Sequence, residues 1–136
     1  MITIKQFEVG MTFEKELTLT LAQGQAYATL FGDHNPVHFD DEAARARGFK
    51  EKVVHGTMVA TMADSMLTEA VDGVIAVSKF IRFVRPIFYG DPVIIRARLT
   101  KTDDQKRGVA MTWEVTYTSR GKTCVSMIAE AFLPKP

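Results

Sequence analysis

Cysteine, net charge and long apolar runs are all scarce in this chain of 136 residues, and each scarcity excludes something. Cys124 is the single cysteine, so a disulfide framework and any multi-cysteine metal site are ruled out. One thiol fits a reducing compartment. No apolar stretch approaches the ~20 residues of a membrane span. The segment Met1 to Gly10 carries Lys5 and Glu8 where a signal peptide needs an unbroken apolar run. The charge is nearly balanced, with 17 Lys and Arg against 16 Asp and Glu. A nucleic-acid partner would want a basic stripe, and none is visible. What remains is ordinary: 46% hydrophobic residues, enough for one core at this length and too little chain for two. The expectation is a single cytoplasmic domain over residues 1–136, with no nucleic-acid and no membrane partner.

The hydrophobic pattern divides the chain in two. Thr12 to Thr20 alternates, with Phe13, Leu17 and Leu19 on one side, and predicts a strand. Thr20 and Gln23 have the spacing of a capping box and predict a helix whose apolar side is Ala22, Ala26, Tyr27, Leu30 and Phe31, ending at Gly32. Asp40 can cap a second short helix with acidic residues in its first turn, Arg45 and Arg47 in its last, and Gly48 as the stop. From Thr57 to Ala70 the residues Met58, Val59, Met62, Ala63, Met66, Leu67 and Ala70 make one apolar stripe, with His55-Gly56 at the helix start. After Asp72-Gly73 the period changes from 3.6 to 2. Val74 to Phe83, Val93 to Leu99, Val109 to Thr118 and Thr123 to Phe132 read as strands, the last two joined by a hairpin turn at Ser119-Arg120-Gly121-Lys122. One strand, helices and then consecutive strands predict α+β with an antiparallel sheet around the long helix.

Between the first two helices lies G-D-H-N-P-V-H-F-D, residues 32 to 40, too rich in turn formers for regular structure. A loop of this kind can bring Asp33 and His38 to one point, and a carboxylate beside an imidazole is a general acid/base pair. Asn35 can hold a water or orient a side chain, and Pro36 stiffens the loop. The same residues also suit a solvated linker. A metal site from Asp33, His34, His38 and Asp40 is a weaker alternative, and an EF-hand is excluded because His38 and Ala44 stand where Gly and Glu are required.

D-H-N-P-V-H-F-D, followed by Ala43-Ala44, by F-K-E-K-V-V-H-G at 49 to 56 and by F-V-R-P-I-F-Y-G-D at 83 to 91, resembles the signature of the MaoC-like, (R)-specific enoyl-CoA hydratases. The resemblance runs from about Val9 to Leu133. It implies a hot-dog fold, a homodimer or higher homo-oligomer, an acyl thioester substrate, and reversible addition of water across a trans-2-enoyl thioester. It implies catalytic roles for Asp33 and His38, leaving open which is base and which acid, and an oxyanion-binding amide at Gly56. Asn35 falls on the family's Asn. No cofactor and no metal are implied.

Other residues carry narrower expectations. His55 and Arg85 are candidate substrate contacts, although His55 also reads as a structural residue bonding nearby backbone. Met58 and Val59 read as core that could equally line an acyl channel. Of Arg82, Arg85, Arg96 and Arg98, Arg85 is the one favoured to meet the phosphates of coenzyme A, because it precedes Pro86 at a strand edge. His34 reads as solvated and Cys124 as a packed thiol. Asp64 stands where members of the resembled family often carry a hydroxyl residue, and is a candidate modulator of Asp33. It also supports the main enzymatic rival, a hot-dog thioesterase with Asp64 activating water. A non-catalytic acyl-CoA-binding subunit is the rival of another class. The motifs leave acyl chain length open, as they do the choice between coenzyme A and acyl carrier protein.

Overall fold

Side-chain alternation in the second half of the chain builds the sheet. The computed structural model describes residues 7–136. Strands β1 (Thr12–Thr18), β2 (Ile75–Phe83), β3 (Pro92–Gln105), β4 (Gly108–Ser119) and β5 (Lys122–Pro134) are all antiparallel, in the order β1-β3-β4-β5-β2. Val93, Ile95, Ala97 and Leu99 on β3 are buried while Ile94, Arg96 and Arg98 face outward, as the period of two requires. Arg120 and Gly121 close the β4–β5 hairpin, both with positive φ (53° and 72°). That two-residue turn twists in the sense the flanking strands need.

Helices α1 (Leu21–Phe31), α2 (Asp41–Ala46) and α3 (Gly56–Ala70) precede β2. The apolar face of α3 packs on the sheet: Met58, Val59, Ala63, Met66 and Leu67 share one core with Leu99, Trp113, Tyr117 and Met127. Burying each large side chain of this set is worth about 1.5–3 kcal/mol. The Tyr117 hydroxyl, deep in that core, donates to the Ala60 carbonyl (3.2 Å) and accepts from the Ala63 amide (3.0 Å), tying the middle of α3 to the sheet. Met62 is only half-buried, and Ala60 completes the stripe instead.

The capping expectations for α1 hold: Thr20 and Gln23 form a reciprocal capping box, and Gly32 ends the helix in the left-handed region at φ 77°. Its buried face differs from the expected one. Gly24 and Ala28 are the buried positions, while Leu30 and Phe31 are 75% and 68% exposed. Tyr89 explains the choice, since a Cβ at residue 24 would lie 2.2 Å from its hydroxyl. Only a bare backbone lets α1 lie against that ring.

Candidate active site

The loop after α1 is shaped by its own side chains. Asn35 accepts from the Val37 amide (3.2 Å) and caps a single 3₁₀ turn, Pro36–His38, with Pro36 at its first position. Asp40 then caps α2 by accepting from the Glu42 amide (2.9 Å). The segment leading into α3 is strapped across this loop. The Val53 amide donates to Val37, the Val54 amide to Ile87, and the Lys52 amide to the Asp41 carboxylate. That backbone donor, with the Lys52 ammonium beside it, lowers the Asp41 pKa. The strap brings His55 and Gly56 under the loop that carries Asp33 and His38.

His38 donates from Nδ1 to the Val53 carbonyl (2.9 Å), so its Nε2 is the nitrogen left for chemistry. That Nε2 lies 3.8 Å from Oδ2 of Asp33. The Asp33 side chain is 44% exposed and that of His38 13%, which sets the carboxylate at the solvent side of the pair. Burial holds the His38 pKa below 6.5, and the neighbouring His55 pushes it the same way. The Val53 carbonyl and the Asp33 carboxylate oppose them. Gly56 opens α3, and no side chain caps that helix. Its amide is therefore among the unpaired donors at the positive end of the helix.

These groups line one cavity of about 460 Å³. Asp33, Asn35, His38 and Gly56 stand at one side, and Phe49, Val53, Val59, Phe83, Ile87 and Val125 supply apolar wall. A Cβ on residue 56 would come within 2.8 Å of the Phe83 ring, so glycine is what keeps the backbone accessible there.

The sequence expectations divide on this geometry. Asp33, His38, Asn35, Gly56, Val59 and Arg85 all border the cavity. Arg85 also donates to the Thr123 carbonyl (2.8 Å), which holds its guanidinium in place. Met58 does not border it; the side chain is buried in the core. His55 does not border it either. It is 1% exposed, lies behind His38, and donates from Nε2 to the Asp33 carbonyl (3.0 Å). Asp64 is not a neighbour of Asp33: it pairs with Lys79 of β2, on the eighth residue beyond Gly56 and so ~12 Å along α3. Phe83, Ile87 and the Val53 carbonyl were not singled out from sequence, because their roles depend on contacts between distant segments.

A metal set is the other arrangement to test. Asp33, His38 and His55 present potential ligand atoms within 4.8 Å of one another. The fit is poor, because the Nε2 of His55 is already committed to a carbonyl and the two imidazoles are stacked 25° from parallel. Ring-plane lone pairs of stacked imidazoles run side by side instead of converging on one ion.

Antiparallel sheet and wrapped helix define a hot-dog fold, with the loop-borne Asp–His pair as its candidate site. Residues 5–121 match the family model described as MaoC like domain, and the chain belongs to that family. A 3-hydroxyacyl-[acyl-carrier-protein] dehydratase of Arabidopsis thaliana mitochondria is 37% identical over 64% of this chain, the match spanning 52% of that protein. An (R)-specific enoyl-CoA hydratase of Aeromonas caviae is 27% identical over 98% of this chain and 100% of its own. The solved structure of an (R)-hydratase from A. caviae superposes with a TM-score of 0.87 at 26% identity, covering 96% of this chain and 99% of the other.

Proposed function

We propose that the chain hydrates trans-2-enoyl thioesters to (R)-3-hydroxyacyl thioesters and catalyses the reverse dehydration. The observation that carries this reading is the free Nε2 of His38 facing the Asp33 carboxylate beside an uncapped helix start at Gly56. A gap of 3.8 Å suits a water held at about 2.8 Å from both atoms, donating one proton to each. Asp33 orients that water and neutral His38 accepts its proton as the oxygen attacks Cβ. The π electrons move onto the thioester carbonyl, and the Gly56 amide stabilises the enolate oxygen. Cα then takes the proton from His38, returning the imidazole to neutrality. One water thus supplies both added groups, on one face of the double bond.

The same reading includes a substrate carrier with phosphates near Arg85, a reaction independent of metal or cofactor, a cytoplasmic setting and a homodimer. Metal independence is supported by the stacking of the His38 and His55 rings, whose lone pairs do not converge on one ion. The dimer is supported by β2, a sheet edge with Ile75, Val77, Phe80 and Phe83 all more than half exposed. Such an apolar edge is ordinarily covered.

The test is turnover of crotonyl-CoA and longer enoyl-CoA substrates, with the chirality of the product determined. Asp33→Asn and His38→Ala should each lower kcat by ~10² or more. The double variant should cost far less than the product of the two, since the residues act as a unit. Full activity in either single variant overturns the assignment. Release of free thiol at the rate of substrate loss would point instead to thioester hydrolysis.

A further inference from the structure

The His55 ring is enclosed by aromatic neighbours. Tyr27 lies 4.8 Å away and Phe39 5.6 Å, and the imidazole of His38 is stacked on it at 3.8 Å between centroids. The ring is buried and does not line the cavity beside Asp33 and His38, which makes direct contact with a substrate untenable. Yet it touches both members of the Asp–His pair in different ways.

Asp33 sits on a loop, and its carboxylate receives a long bond from the Asn35 amide (3.4 Å) and lies 3.8 Å from Nε2 of His38 and 4.0 Å from Nε2 of His55. Among the described residues, the hydrogen bond that ties Asp33 to the body of the protein is the one from His55 Nε2 to its carbonyl. His38 is hinged at one edge by the Val53 carbonyl, which leaves the ring free to tilt about that bond. The face of His55 removes the tilt. We propose that His55 is a positioning residue, which sets the separation of Asp33 and His38 by bonding the backbone of one and stacking on the ring of the other.

Both contacts start at the N-cap of α3, the residue immediately before the Gly56 amide. The acid/base pair and the oxyanion donor are therefore referenced to one point, and a misplacement of 1 Å in such a constellation costs ~10² in rate. The kinetic part of the proposal rests on the hydratase reading; the geometric part does not.

The two contacts separate by substitution. His55→Phe keeps a ring and loses the donor, whereas His55→Gln keeps an amide donor at the same reach and loses the ring. Each should lower kcat about tenfold with KM within about twofold. Introduced into His38→Ala, His55→Gln should add little, because its effect passes through His38; a general weakening of the fold would instead add in full. Asp33 and His55 are the titratable groups facing His38. In the free protein, the His38 ring protons of His55→Gln should lose the shift imposed by the stacked imidazole, and their titration midpoint should move. If the His38 signals and midpoint match the parent in both variants, or if both retain parental kcat, the proposal is wrong. A parent protein that hydrates no enoyl thioester defeats the functional reading, and the resonance experiment then decides the positioning claim alone.

Discussion

Asp64 of α3 is paired with Lys79 of β2, a contact that fastens the helix to the edge strand. The pair is partly exposed, and exposed pairs contribute at most about 1 kcal/mol. Asp64→Ser should therefore leave kcat/KM and its acidic limb unchanged, with a small loss of stability. Loss of all turnover would revive a thioesterase in which Asp64 activates water. A moved limb would show that Asp64 reaches Asp33 after all.

The pH dependence should be governed by His38. Burial keeps its pKa below 6.5, so the neutral base persists to lower pH than an ordinary histidine allows. The acidic limb of kcat/KM should fall with a midpoint under 6.5. Asp33→Asn removes a charge that favours the imidazolium and should move the residual limb lower still. Stability follows the same sign. The unfolded chain takes up the proton near 6.5 and the folded chain only below it. This contribution is thus complete above 6.5 and eroded as the pH falls through the window beneath.

Tyr117→Phe should cost about 1–3 kcal/mol in denaturant unfolding, because it strips a partner from the Ala60 carbonyl and the Ala63 amide in a dry core. An unchanged midpoint would mean that the helix satisfies both groups without the hydroxyl.

Much of this arrangement is legible from local sequence, because its causes are local. Thr20 and Gln23 announce a helix start, Asn35-Pro36 a turn, and the alternation of β3 its buried face. The Asp33–His38 pair lies within six residues and was accessible for that reason. Long-range contacts were not. Leu30 and Phe31 read as the buried side of α1 until Tyr89 is seen to require Gly24 beneath it. His55 read as a substrate contact or a backbone tie, and only the strap at Val53 and Val54 reveals that its ring lies under His38. Asp64 reads as a candidate modulator of Asp33 because helical periodicity gives a direction around α3 and carries no information about Lys79 on another element.

Gly56 offers the sharpest separation of function from folding. It occupies the first position of α3 without positive φ, so alanine is conformationally acceptable there and favours the helix. The obstacle is Phe83, whose Cε1 would lie 2.8 Å from the new methyl. The contact is with the far end of the Phe83 side chain, so a small shift of the ring relieves it and the fold survives. The methyl, however, stays in the cavity where the thioester oxygen must approach the amide. Loss of an oxyanion donor costs ~10²–10³ in rate, and Gly56→Ala should forfeit at least about tenfold of this in kcat/KM, with no fall in melting temperature. Adding Phe83→Ala separates the two possible causes. If the displaced ring were responsible, activity would return; if the methyl itself blocks the amide, the double variant stays as slow as Gly56→Ala. The second outcome is expected, and full activity in Gly56→Ala alone would remove the Gly56 amide from the mechanism.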